Sequence, residues 1–238
     1  MVGRLSFSIA SSSMTTVQSH ASHDSAFWQA YSRRRYAILF YSLLGILVVG
    51  PIAGNSPLAQ LAVKMTFGIC LLLAVLPSAG KRDRIFLIAG VVLLSVARIV
   101  SERDDVPIDF GPVLVIYGFT GLLAAAATFR FTVTSPRIDR ETIYAALSAY
   151  LLAGLFFGVI YSAIEFMSPG SIKGPDVLTI TNATYYSFVT LATLGYGDFL
   201  PHSALARGVA TVEVIGGQLY LAVMVARLIG AFDFIKKA

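Results

Sequence analysis

Charge is what this sequence most lacks. Only 13% of its 238 residues are Asp, Glu, Lys or Arg, while 56% are hydrophobic. A water-soluble domain carries about 25% charged residues, so the composition predicts an integral membrane protein. The single cysteine, Cys70, lies in an apolar run. It has no partner for an intrachain disulfide and reads as a buried thiol. No nucleophile–base pair, phosphate-binding loop or cluster of metal ligands stands out, so neither an enzyme nor a cofactor is expected. His20 and His23 lack a third ligand nearby. A net charge of +5 would suggest nucleic acid in a soluble protein. Here the basic residues sit beside apolar runs and read as loop charge, with no nucleic-acid partner.

What the chain has instead is long apolar runs. A helix needs about 20 predominantly apolar residues to cross a bilayer. Six segments meet or approach that length: Tyr36 to Ile52, Leu58 to Leu76, Ile85 to Val100, Val106 to Phe129, Ile143 to Met167 and Ser203 to Phe232. Residues 1–35 are Ser- and Thr-rich, without a sustained apolar run, and read as a disordered cytoplasmic tail. Basic residues mark alternate loops: Arg33–Arg35, then Lys81, Arg82 and Arg84, then Arg137 and Arg140, then Lys236 and Lys237. The intervening loops have few or are acidic. The bias places both termini in the cytoplasm.

The stretch between the fifth and sixth segments is too long for a turn. Met167 to Thr181 reads as an exposed loop, and Thr181 or Asn182 is suited to cap a helix. Ala183 to Ala192 then predicts a helix of about three turns, half of what a membrane crossing needs. Non-helical backbone at that depth is tolerated only against protein or a water-filled path. A re-entrant helix and loop is therefore expected rather than a seventh span. The loop is Thr193-Leu194-Gly195-Tyr196-Gly197-Asp198. Its alternating glycines admit backbone conformations that other residues resist.

This half-length helix followed by Thr-Leu-Gly-Tyr-Gly-Asp resembles the pore helix and selectivity filter of tetrameric potassium channels. Residues 141–234 repeat that family's order of outer helix, pore helix, filter and inner helix. The resemblance implies that the carbonyls of Thr193, Leu194, Gly195 and Tyr196 coordinate dehydrated K+, with Gly195 and Gly197 allowing alternating torsions. It implies that Asp198 lies at the outer mouth and that Tyr185 and Tyr186 form an aromatic cuff. Gly217, nineteen residues after Asp198, matches a hinge glycine, with close helix packing as the competing reading. Gln218, Leu221 and Val225 would then face the cavity. Leu194, Ala192 and Val189 depart from the family pattern, and they leave the rigidity of the filter open.

Glu213 is an ionisable residue inside the sixth segment. It is expected either to anchor the back of the pore helix, for example through Thr190 or Tyr186, or to act as a cavity charge or pH sensor. The segments before the pore hold scattered basic residues, Lys64 and Arg98, and the fourth holds none before Arg130. That is no voltage sensor, which needs several gating charges on one helix.

The expected fold is an all-α integral membrane protein with six transmembrane helices plus the re-entrant helix and filter loop. Its parts are the tail 1–35, a four-helix domain 36–134 and the pore domain 141–234. One filter per chain requires a cyclic homotetramer, multi-pass in the plasma (inner) membrane among its lipids. The expected function is passive, K+-selective conduction. A nonselective cation channel and a non-conducting pore-like subunit remain as alternatives.

Overall fold

A computed structural model describes residues 34–51, 65–66, 68–69, 92, 111–136 and 138–237, with side chains as far as Gly230. The expected tail and nearly all of the second and third segments lie outside the described residues, as do Cys70, Lys64 and Arg98. The described helices are α1 (Arg34–Pro51), α2 (Gly111–Thr134), α3 (Arg140–Met167), α4 (Ile180–Leu191) and α5 (Ala204–Lys237). Four of them, α1, α2, α3 and α5 over Ala204–Gly230, are long and apolar enough to cross a membrane. The described helices leave the expected count of six open. The fourth predicted segment is displaced toward the C-terminus, ending at Thr134 rather than Phe129.

Chain chemistry sets the boundaries of α3. Asp139 is its N-cap and accepts from the Thr142 backbone N–H at 2.8 Å and the Thr142 hydroxyl at 2.7 Å. One otherwise orphaned N–H of the first turn is thereby satisfied. At the far end the Glu165 carboxylate accepts from the backbone N–H groups of Gly170 (2.7 Å) and Ile172 (2.9 Å), folding the loop back on the helix. Two short strands, β1 (Ile172–Lys173) and β2 (Leu200–Pro201), pair antiparallel with Ile172 opposite Pro201. This clip closes the base of the stretch that carries α4 and the loop 193–198.

α3 is the hub. It buries one face against α1 and α2, in a cluster that includes Leu39, Leu43, Tyr117, Ala124, Leu152 and Phe156. A second cluster joins Ile160, Tyr161 and Ile164 of α3 to Ala183 and Tyr186 of α4 and to Ala206 and Ala210 of α5. Small residues bring the backbones close. A Cβ on Gly158 would lie 2.8 Å from the Thr184 Cα, and one on Gly154 would strike the Phe188 ring at 2.5 Å. α4 therefore lies in a groove that α3 provides by omitting side chains.

α5 buries a stripe through Ala206, Ala210, Glu213, Gly217 and Met224 and exposes its other faces. Only 17% of its apolar window is buried, against 56% for α3. Near its C-terminal end the Arg227 guanidinium donates to the Val133 carbonyl at 2.5 Å and to the Ser135 carbonyl. These carbonyls belong to the end of α2, where helical oxygens lack intrahelical partners and a cation is favoured. Phe129 of α2 also lies against the Tyr220 ring at 5.4 Å. The C-terminal end of α2 is thus fastened directly to α5.

Two substitutions test this packing by thermal unfolding of the detergent-solubilised protein. Gly158→Ala places a methyl against backbone that cannot swing aside, so a loss of roughly 1–3 kcal/mol is expected. Arg227→Ala removes both charged donors from the α2 terminus and is expected to cost about 1.5–3 kcal/mol per bond at most. An unchanged melting temperature in either case would contradict the assigned contacts.

Candidate ion-conduction site

α4 has 12 residues, which at 1.5 Å per residue is about 18 Å. Its N-cap is Thr179, whose hydroxyl oxygen accepts from the Asn182 N–H at 3.2 Å. The expected cap, Thr181 or Asn182, is displaced by two to three residues. The Asn182 amide is occupied instead, donating to the Val177 carbonyl at 3.0 Å. The helix ends at Ala192, and its last carbonyls receive the chain that follows. Thr193 N–H donates to Thr190 O and Leu194 N–H to Val189 O, both at 2.9 Å. The loop from Thr193 is thereby anchored to the C-terminal turn of α4.

From that anchor the backbone alternates in hand. Thr193, Gly195 and Gly197 have φ of 57°, 60° and 80°, while Leu194 and Tyr196 between them stay at negative φ. Successive residues of opposite hand turn their N–H groups to one side of the strand and their carbonyls to the other. A row of oxygens facing one way is the feature that lets a pore replace the water around a cation. Neither glycine is needed for space, since nothing lies within 4 Å of a Cβ placed on Gly195 or Gly197. Their role is conformational. Thr193 is the only non-glycine with positive φ among the described residues. A β-branched residue there costs energy, so the backbone is strained at Thr193. Sequence reading assigned Thr193 to the filter but had no sign of its torsion.

The expected cuff divides into two roles. Tyr185 stacks on Tyr196 with centroids 6.4 Å apart and planes within 9°. Asp198 lies close enough to act on the Tyr185 hydroxyl electrostatically. Tyr186 is buried against Tyr161 of α3, edge to face at 4.7 Å. Past Asp198, Phe199 is buried where a Cβ on Gly174 would collide with its ring at 2.2 Å. It pins the returning limb, a role the sequence did not reveal. Leu194 and Tyr196 themselves stand 57% and 67% exposed in the single chain.

Gly217 lies on the buried stripe of α5. A Cβ there would come 2.6 Å from the Leu191 carbonyl oxygen at the end of α4. The close approach gives the glycine a packing role, and α5 runs through it as one helix. Gln218, Leu221 and Val225 fall on an exposed face that starts beside Gly217 and runs about two turns further on. Glu213, one turn before Gly217, is fully buried. Its carboxylate oxygens meet the Tyr161 hydroxyl at 2.6 Å and the Ser187 hydroxyl at 2.5 Å. The anchor behind α4 is therefore present, but its partners are Tyr161 and Ser187 rather than Thr190 or Tyr186. Tyr161 was missed because its contact depends on how α3 packs against α5.

Tyr185→Phe should leave the stack on Tyr196 intact and remove the hydroxyl that lies beside Asp198. Amide exchange at Gly197 and Asp198 is expected to quicken by a factor set by about 1 kcal/mol, the usual net worth of one polar contact. Unchanged exchange there would show that the hydroxyl does not hold this end of the loop.

Comparison with known proteins covers this same region. A family model described as an ion channel matches residues 147–233. The potassium voltage-gated channel protein Shal of Drosophila melanogaster is 30% identical over 75 residues, 32% of this chain and 13% of Shal. The inward rectifier potassium channel Kirbac3.1 of Paramagnetospirillum magnetotacticum is 34% identical over 87 residues, 35% of this chain and 27% of that protein. Protein LctB of Bacillus caldotenax is 28% identical over 131 residues, 49% of this chain and 97% of LctB. The chain thus spans well under half of the two named channels. No solved structure matches it. Residues 147–233 are thus similar to the ion channel family, with potassium channels among the proteins this region resembles.

Proposed function

We propose that four copies of this chain assemble around one axis into a passive, potassium-selective pore in the plasma membrane, with both termini cytoplasmic. The observation that carries the proposal is the alternation of backbone hand from Thr193 to Gly197 at the end of a half-length helix. K+ is the transported substrate. Rings of carbonyls from Thr193, Leu194, Gly195 and Tyr196 would take the place of its hydration water. One chain offers one row of oxygens, so a closed ring needs symmetric copies. The exposed Leu194 and Tyr196 side chains and the open faces of α5 are the surfaces that neighbouring copies would cover.

The remaining parts take roles consistent with that ring. The C-terminal end of α4 carries about half a negative charge from its dipole, placed at the inner end of the filter. Asp198 adds a carboxylate at the other end, beside Tyr185. Gln218, Leu221 and Val225 would line the path below, where an apolar constriction can gate by dewetting. Whether α5 bends at Gly217 during gating belongs to this proposal too. α2 holds a single basic residue, Arg130, near its end, and one charge supplies little gating charge. Weak intrinsic voltage dependence follows.

The test is K+ uptake into liposomes carrying the purified protein, with Na+ as competitor. K+ entry that Na+ does not match is expected. No flux, or equal entry of both ions, would overturn the reading. Gly195→Val forces a β-branched residue to φ of 60°, at a cost of about 1–2 kcal/mol per chain. Loss of flux with the tetramer retained on gel filtration is expected.

A further inference from the structure

Glu213 is the only acidic side chain buried among the described residues. Three oxygen–oxygen contacts meet around it. The Tyr161 hydroxyl lies 2.6 Å from Glu213 Oε2, the Ser187 hydroxyl lies 2.5 Å from Glu213 Oε1, and the same Ser187 oxygen lies 2.7 Å from the Gly154 carbonyl. Oxygens this close repel unless a hydrogen lies between them, so three hydrogens are needed. The Tyr161 and Ser187 hydroxyls supply one each, and a backbone carbonyl supplies none.

We propose that Glu213 is held as a neutral carboxylic acid. Its own hydrogen completes a chain from Glu213 through Ser187 to the Gly154 carbonyl, and this chain seats the pore helix between α3 and α5. In that arrangement Tyr161 donates to Oε2, Glu213 Oε1–H donates to Ser187, and Ser187 donates to Gly154. Each contact then has its hydrogen and no polar atom of the group is left over.

The surroundings support the same assignment. No ion pair to Glu213 is found among the described residues, and the titratable groups facing it are phenols: Tyr150 and Tyr161 from α3 and Tyr186 from α4. Beside it lies a cavity of about 420 Å³, walled by apolar groups of Leu122, Ala125, Leu191 and Gly217. An unpaired carboxylate in such a setting is costly, whereas a hydrogen-bonded neutral acid is tolerated.

The position gives the chain its consequence. Ser187 sits in the middle of α4, six residues before Thr193. Gly154 belongs to α3 and Glu213 to α5, so one group of hydrogen bonds joins all three helices. One turn beyond Glu213, Gly217 packs against the Leu191 carbonyl. α4 cannot slide along α5 without breaking the chain, so Glu213 is a positioning residue for the filter. That last step rests on the conduction reading given above.

Two readouts test the proposal. Infrared difference spectra of the tetramer in liposomes at neutral pH, wild type minus Glu213→Gln, should show the carbonyl stretch of a protonated carboxylic acid. Liposome flux gives the second. Glutamine offers an N–H to Ser187 and an oxygen to Tyr161, so Glu213→Gln should keep K+ flux and selectivity within about twofold, while Ser187→Ala and Glu213→Ala lose roughly tenfold or more through the unsatisfied groups left behind. If Glu213→Ala fails to assemble, Ser187→Ala and Glu213→Gln still decide. Absence of the acid band, a Glu213→Gln channel as defective as Glu213→Ala, or a Ser187→Ala channel like the wild type would each overturn the proposal. The infrared band is read without any flux, so a failure of the conduction reading is distinguished from a failure of this one.

Discussion

A carbonyl oxygen replaces a water molecule around a cation only when it is aimed at the ion and held there. Ordinary extended backbone does neither, because its carbonyls point to opposite sides in turn. The alternation of hand at Thr193, Gly195 and Gly197 removes that conflict, and much of the described structure can be understood as what keeps it in place. Two positions carry glycine, which accepts positive φ without steric cost. The third carries threonine and is held by backbone bonds to the end of α4. Tyr185 and Phe199 then fix the far end of the loop, one by stacking on Tyr196 and the other by burial against Gly174.

Support for the loop that follows Leu191 runs through α4. The helix lies in a groove on α3 made by Gly154 and Gly158, touches α5 at Gly217, and is tied to both by the Glu213 group. α3 in turn is buried against α1 and α2. The coupling of α2 to α5 through Arg227 adds a second route. It joins a helix outside the pore domain to the part of α5 that would line the inner path. Movement of α2 would therefore be felt at α5 without passing through α4.

The half-length helix and its loop were legible in the sequence because they rest on local properties: apolar run length, glycine spacing and the break between Met167 and Thr181. The spans that flank them were legible for the same reason. Boundaries were less so. The cap moved to Thr179 because the Asn182 side chain turned back to Val177 instead of serving its own helix. Contacts between helices were hidden. Glu213 stood out as an ionisable residue in an apolar run, yet nothing local tells that Tyr161, 52 positions away, and Ser187 would meet it. Arg227 carried no sign that the end of α2 would lie beside it. Thr193 was identified by its place in a motif, and its torsion depends on the anchor beneath it rather than on its own preference.

The central claim is that this backbone arrangement, repeated in a ring, conducts K+ in preference to Na+. The most direct test is the reversal potential of current through the reconstituted protein with K+ on one side of a planar bilayer and Na+ on the other. A potassium-selective ring gives a reversal potential displaced strongly in the direction set by K+ permeation, and lost with the current when Gly195 is replaced by valine. Reversal at zero potential would contradict it.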